Sequence, residues 1–245
     1  MVSCNVRSKY NDSGSQWYST SALVLSVCCA IVHLALSDMQ SNGKRTKRGR
    51  HKRKRLDTDD ESEEDDDDQK LVTVSGSNVY FYAEVNKRTI LYLNEKLDEA
   101  TVNAVKYRSP ITPPKIFLYI HSAGGDAFVG LSAMTHISNR PIPVVTIADG
   151  FVASAASLLL LSVKERYIMP NTHILIHQLR TGFWGKYDEL LDEVTNSKLL
   201  MNDIINVYKN ETRIPHRKLS ELLKQEINLS TEQCINFGLV KDTLV

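Results

Sequence analysis

The sequence predicts an α/β domain built on a parallel sheet. Short apolar runs rich in β-branched and aromatic residues alternate with segments of helical length and helical periodicity. The short runs are almost continuously apolar, as in strands that helices cover on both faces. Apolar residues make up 42% of the 245 residues, which is enough for a sizeable core and excludes collagen-like, mucin-like and wholly disordered chains.

The predicted strands and helices follow one another along the chain, and we expect right-handed crossovers between parallel strands. Two more helices are expected near the C-terminus, because Pro suits a helix start and Gly a helix end. The predicted strands are Thr89–Leu93, Lys115–Ile120, Pro143–Ala148 and His173–Ile176; the predicted helices are Asp98–Lys106, Phe128–Ser138, Ser154–Val163, His216–Lys224 after Pro215, and one from Thr231 to Gly238.

A longer helix is predicted from Tyr187 to about Asn210, since its apolar residues recur at spacings of four, three and seven. Further apolar residues, Leu190, Leu199, Leu200 and Ile204, widen the apolar surface beyond one stripe. Such a helix packs either in its own domain or against a second subunit. The spacing alone does not distinguish the two arrangements.

Two blocks of charge precede this domain. Nine of the twelve residues 44–55 are Lys or Arg, and ten of the twelve residues 57–68 are Asp or Glu. Such blocks bury too little apolar area to offset chain entropy, so residues 42–69 are predicted to be a disordered tail between a leader, 1–41, and the domain, 70–245. The net charge is +1, so no nucleic-acid partner is expected.

The leader contains one mostly apolar stretch, residues 22–36. It is short for a membrane-spanning helix, which needs about 20 residues, and resembles the apolar part of a signal peptide. Residues 1–38 are therefore an inert leader ahead of a start at Met39, a membrane anchor or signal, or an organelle-targeting segment. The charge blocks favour a cytoplasmic protein. The four cysteines form neither a disulfide framework nor a CxxC metal motif.

Gly124 and Gly125 stand directly after the predicted strand Lys115–Ile120 and before a helix. Paired glycines allow a backbone conformation closed to other residues and leave amide hydrogens facing an approaching oxyanion. Taken alone, the pair is explained better by a tight strand-to-helix turn. The spacing does not fit a phosphate-binding loop.

Ser154 follows the next predicted strand, Pro143–Ala148, among small residues. As the N-cap of a helix it would contribute about 1 kcal/mol. As a nucleophile it would have space for a substrate carbonyl, and the Ala155 amide would join that of Gly125 in an oxyanion hole.

His177 closes the predicted strand His173–Ile176. A histidine in this place is structural in many proteins. However, the carboxyl ends of successive parallel strands lie at one edge of a sheet, which would bring a neutral imidazole within reach of Ser154.

The order of these motifs resembles the proteolytic subunit of the Clp protease. The most similar stretches are Tyr119–Gly125 and Pro170–Gln178, and the resemblance extends over about Val79–Val245. It implies a ClpP/crotonase-like fold of repeated β-β-α units with a protruding handle helix. It also implies a serine endopeptidase with Ser154 as nucleophile, His177 as general base, and Gly125 and Ala155 as oxyanion amides. Where the family has the Asp of its triad, this chain has Glu226, which is longer by one methylene.

The resemblance also implies partners. The long helix and the loop before it would interlock two stacked heptameric rings that enclose a chamber for unfolded polypeptides and short peptides. A hexameric AAA+ unfoldase would dock on the rings and use the ATP, so this chain would need no cofactor. Two other functions remain open: a non-catalytic ring subunit, and a crotonase-type acyl-CoA enzyme, which needs no serine and histidine at these places.

Overall fold

The computed structural model describes residues 70–107 and 111–244. The predicted leader and charged tail lie outside the described residues, so the boundary at residue 70 stays a prediction. In chain order the elements are β1 Val72–Ser75, β2 Asn78–Phe81, α1 Lys87–Lys106, β3 Ile116–Ser122, α2 Ala127–Ser138, β4 Val144–Ala153, α3 Ala155–Leu160, β5 Arg166–Ile168, β6 His173–Leu175, α4 Tyr187–Glu211, α5 His216–Leu222 and α6 Thr231–Asn236.

The strands of the described residues form one sheet in the order β1-β2-β3-β4-β5, and β6 also pairs with β4. β1 and β2 are antiparallel, and the other pairs are parallel. The longest strand, β4, pairs with β3 on one side and with two strands on the other, since residues 146–148 pair with β5 and residues 151–153 pair with β6. The predicted α/β fold is confirmed. The carboxyl ends of β3, β4 and β6 lie at one edge of the sheet.

The predicted strand Thr89–Leu93 is wrong, because these residues belong to helix α1. The side chain of Asn86 accepts a hydrogen bond from the Thr89 amide at 2.9 Å and caps the helix. Every third or fourth residue then faces the core, and this helical stripe outweighs the strand propensity of the β-branched residues. Its buried residues are Thr89, Ile90, Leu93, Leu97, Ala100 and Ala104.

The remaining predicted elements of the domain are present, but two of them are longer than predicted: the helix predicted from Asp98 begins at Lys87, and the strand predicted to end at Ala148 continues to Ala153. β1, β2 and β5 were not predicted, because four residues or fewer show too little periodicity. Burial differs between the two central strands. Residues 144–148 of β4 are buried on both faces, whereas β3 buries alternate residues and leaves Phe117 and Tyr119 half-buried. Only β4 therefore fits the expected strand with both faces covered.

Helix α4 is the predicted long helix, and its two halves differ in burial. The C-terminal half buries Leu200, Ile204 and Tyr208, which are spaced by four residues. The other half leaves its apolar side chains in solvent, among them Tyr187, Leu190, Leu191, Val194 and Leu199. The expected wide apolar surface is thus partly internal, at Leu200 and Ile204, and partly unpartnered within this chain.

No helix in residues 70–107 and 111–244 is both long and apolar enough to cross a membrane. Residues 1–38, on which the prediction about location depends, lie outside this range.

Candidate active site

A cavity of about 860 Å³ opens where the carboxyl ends of the central strands meet α3 and α4. Four of the five predicted site residues line it together: Gly125, Ser154, Ala155 and His177. Its walls are mixed, because aliphatic side chains of the two helices alternate with polar and charged ones, among them Arg180, Glu193 and Asp203. The walls also include Leu158, Leu199, Leu200, Ile204 and Tyr208.

Ser154 lies between the end of β4 and the first residue of α3, with φ 53° and ψ −127°. A residue with a Cβ rarely adopts positive φ, so this conformation is strained and must be held by its surroundings. The Ser154 amide donates to the Leu175 carbonyl at 2.9 Å. Its hydroxyl does not cap α3, so the N-cap interpretation does not describe it. The side chain is half-buried and faces the cavity.

Gly124 and Gly125 form a tight strand-to-helix turn against Ser154, with φ 100° and 146°. A Cβ on Gly124 would lie 2.6 Å from the Ser154 Cβ, and one on Gly125 would lie 2.3 Å from the Val85 carbonyl oxygen. Both positions therefore require glycine. Asp126 ends the turn as the N-cap of α2, since its Oδ1 accepts from the Phe128 amide at 2.8 Å.

Two amides at the cavity are candidates for binding an oxyanion. The Val85 amide donates to the Gly124 carbonyl at 2.7 Å, and the Asp126 amide donates to the Val85 carbonyl at 2.8 Å. Neither bond uses the Gly125 N–H. Ala155 is the first residue of α3, where an N–H has no acceptor within the helix. The turn and the helix start can thus offer two donors to one oxygen atom.

His177 comes two residues after β6 and is half-buried. Its Nδ1 lies 2.6 Å from the Gln178 carbonyl oxygen. In the neutral tautomer that carries its proton on Nδ1, the ring donates to this carbonyl and Nε2 keeps a lone pair as a proton acceptor. In the described part of the chain, Ser154 and His177 line one cavity without a hydrogen bond between them. Such bonds are often long in ligand-free structures.

Glu226 is not among the residues that line the cavity. Its side chain is 54% exposed and accepts from Arg180 Nη2 at 2.6 Å, while Arg180 does line the cavity. The backbone nevertheless holds the segment of Glu226 beside β6 and the residues after it, because the Gln178 amide donates to the Leu223 carbonyl at 2.7 Å and the Leu229 amide donates to the Ile174 carbonyl at 2.8 Å. The structure does not bring the carboxylate to His177, so its triad role stays a prediction.

Three functional candidates were not singled out from the sequence as part of the site: Arg180, Ser157 and Tyr208. Arg180 had no detectable signal, since the sequence does not show that Glu226 is its partner. Ser157 is fully buried, and its hydroxyl donates to the Ser154 carbonyl. Tyr208 lies in the long predicted helix, where no feature of the sequence marks it as a site residue, and its buried phenol has Ser157 as its partner. Residues 70–107 and 111–244 contain no cluster of three or more metal-binding side chains.

Comparisons with known proteins agree with this architecture. The family model described as Clp protease matches residues 75–245. The ATP-dependent Clp protease proteolytic subunit 2 of Treponema denticola is 32% identical over 162 residues, which are 64% of this chain and 81% of the relative. The corresponding subunit of Deinococcus radiodurans is 25% identical over 170 residues, which are 66% of this chain and 83% of the relative.

A solved structure of a ClpP1 variant from Listeria monocytogenes has a similar fold. Its TM-score is 0.56 at 21% identity, and the match covers 66% of this chain and 88% of that chain. At this identity the likeness concerns the fold alone. The resemblance inferred from the sequence motifs is confirmed by the family match and by the relatives. On this evidence the chain belongs to the Clp protease family.

Proposed function

We propose that this Clp-type proteolytic subunit is an active serine endopeptidase in which Ser154 is the nucleophile and His177 the general base. One observation carries the proposal. Ser154 is held at positive φ between β4 and α3, in a cavity that it shares with His177 and with the amides of Gly125 and Ala155. A strained serine on a strand-to-helix turn presents its hydroxyl to a substrate, as in the nucleophile elbow of other hydrolases.

The chemistry follows from these positions. Ser154 Oγ attacks the scissile carbonyl carbon while its proton passes to His177 Nε2, and the Gly125 and Ala155 amides bind the oxyanion. The carbon–nitrogen bond then breaks, and the imidazolium returns the proton to the leaving amine. Water attacks the resulting ester with His177 again as the base, which releases the acid and restores the hydroxyl. These steps need no cofactor held by this chain.

Glu226 is proposed as the third member that orients the imidazole. Its position in the chain supports this role, because the hydrogen bonds of Leu223 and Leu229 hold its segment beside β6 and the residues that follow, which include His177. The ion pair of Glu226 with Arg180 does not prevent this role. The Arg180–Glu226 pair is exposed, and exposed ion pairs contribute about 1 kcal/mol or less, so the carboxylate can exchange partners at little cost.

The assembly is proposed to be a pair of stacked heptameric rings joined through α4 and the loop before it. Unpartnered apolar side chains on α4 support this arrangement, and Phe183 and Trp184 of the preceding loop are exposed as well. Unfolded polypeptides and short peptides would be cleaved inside, delivered by an AAA+ unfoldase that uses the ATP.

Charge on the apolar surface of α4 is expected to break this assembly. The change Leu190→Glu with Leu199→Glu places two carboxylates on residues that are 41% and 60% exposed, so the fold of the single chain should persist. Sedimentation is expected to show smaller particles. The control is a variant with Asp192→Gln and Lys198→Gln, two charged residues of the same helix. This variant should keep the original particle size. An intact large particle in the double Glu variant would contradict the role of α4.

A catalytically inactive ring subunit is the second candidate. Two observations favour it: Ser154 and His177 are not hydrogen-bonded in the described structure, and Glu226 pairs with Arg180. Hydrolysis of a fluorogenic peptide by the purified full chain, measured across the fractions of a sedimentation run, separates the two candidates. We expect hydrolysis in the oligomer fraction. An oligomer without hydrolysis would favour the inactive subunit.

A further inference from the structure

We infer that Tyr208 and Ser157 are positioning residues that aim the oxyanion-binding amide of Ala155. This inference rests on the proposed function. It concerns a buried series of hydrogen bonds that begins on α4, passes through α3 and ends on the backbone of Ser154. The three groups are the Tyr208 hydroxyl, the Ser157 hydroxyl and the Ser154 carbonyl.

The distances fix the direction of the hydrogen bonds. Ser157 Oγ lies 2.6 Å from the Ser154 carbonyl oxygen, which can only accept, so the single Ser157 hydroxyl proton must lie between them. Tyr208 OH lies 2.6 Å from the same Ser157 Oγ and must therefore donate to it. Burial raises the Tyr208 pKa to about 12, so the phenol keeps this proton throughout the neutral range.

Burial holds this series of hydrogen bonds in one arrangement. Tyr208 is 1% exposed and Ser157 is 0% exposed, so both hydroxyls depend on partners within the protein. A buried hydroxyl that loses its partner is costly, which holds both hydroxyls in one arrangement. The Ser157 amide also donates to the Ser154 carbonyl, at 3.0 Å. Two donors thus point at a single carbonyl oxygen.

The consequence for catalysis follows from the geometry of the peptide bond. The Ser154 carbonyl and the Ala155 N–H belong to the same planar unit and point in opposite directions. Holding the carbonyl oxygen toward Ser157 therefore turns the Ala155 N–H the other way. The strained φ/ψ pair of Ser154 can relax through ψ, which would rotate this peptide unit, and the hydrogen bonds of Tyr208 and Ser157 oppose that rotation.

The test is Tyr208→Phe in the full chain, which removes the hydroxyl and keeps the ring. We expect kcat to fall about 10-fold to 100-fold with KM unchanged, because removal of an oxyanion donor costs about 10²-fold to 10³-fold and a misaimed donor costs less. Affinity for a peptide boronate, whose tetrahedral adduct places an oxygen in the oxyanion hole, should fall by a similar factor. Ser157→Ala should cause a comparable loss, and the double variant should be no worse than Ser157→Ala alone.

Ser162→Ala is the matched control. Ser162 is also buried, and its Oγ donates to the Leu159 carbonyl three residues earlier at 2.7 Å, but it has no link to Ser154. Its kcat and boronate affinity should stay unchanged. If Tyr208→Phe leaves kcat and boronate affinity unchanged, or if Ser162→Ala lowers them equally, this inference is overturned and the proposed function still stands. A wild-type chain in which boronate and phosphonate probes do not react at Ser154 would instead overturn the proposed function, and this inference with it.

Discussion

Ser154→Ala is expected to reduce peptide hydrolysis by about 10⁶-fold, since removal of the nucleophile of a serine-protease triad costs about that factor in kcat. The substitution should leave folding and assembly intact. The hydroxyl makes no capping bond, and the Leu175 and Ser157 hydrogen bonds of this residue use only its backbone. Peptide hydrolysis and sedimentation, measured on the same preparation, check both parts.

Ser132→Ala provides the control for this prediction, because Ser132 is an exposed serine on α2 outside the cavity. We expect its rate to equal that of the unsubstituted chain. Ser157 is no alternative nucleophile in the described structure, since it is fully buried and bonded to Tyr208. Turnover near the original level in Ser154→Ala would place the nucleophile at another residue.

Glu226→Gln is expected to lower kcat severely, by as much as about 10⁴-fold, because an Asp-to-Asn change in the chymotrypsin-type triad has that effect. The amide keeps the size of the side chain but loses the charge that would stabilise the imidazolium. Glu226→Asp should retain much more activity. Steady-state kinetics at a pH near 8 measure all three chains.

Two controls separate the possible roles of Glu226. Glu232→Gln removes an exposed carboxylate of α6 and should have no effect on the rate. Arg180→Gln removes the present partner of Glu226. If Glu226 only anchors Arg180, Arg180→Gln and Glu226→Gln will have equal effects. If Glu226 orients His177, only Glu226→Gln will be slow. If Glu226→Gln and Glu232→Gln have the same kcat, Glu226 has no role in catalysis. The enzyme would then work with Ser154 and His177 alone, and the Gln178 carbonyl would hold Nδ1 of the imidazole.

Sequence patterns predicted the elements that carry the site because each is framed by strong local signals. An apolar run precedes the Gly-Gly turn, another precedes Ser154, and a third precedes His177. The segment Thr89–Leu93 favours a strand when it is considered by itself, because it contains β-branched residues and only the first residues of the helical stripe. The later residues of that stripe lie beyond the segment. Leu97, Ala100 and Ala104 show that period only when the window is extended beyond the segment to Ala104.

The side-chain contacts of the site were beyond a single sequence. Motif order located Ser154 and His177, but it could not show that His177 Nδ1 lies on the Gln178 carbonyl or that Arg180 holds Glu226. Both contacts depend on rotamers set by the fold. The bond from Tyr208 to Ser157 joins residues 51 positions apart, and neither residue belongs to a motif for the chemistry.

The central claim is that Ser154 is a nucleophile activated by His177. A peptidyl phosphonate that reacts only with activated serines tests this claim directly, when it is incubated with the purified full chain and the adduct is mapped by mass spectrometry of its peptides. We expect one adduct, on Ser154, and at least a hundredfold slower labelling in His177→Ala. An adduct on another residue, or labelling of Ser154 at an unchanged rate in His177→Ala, would contradict the claim.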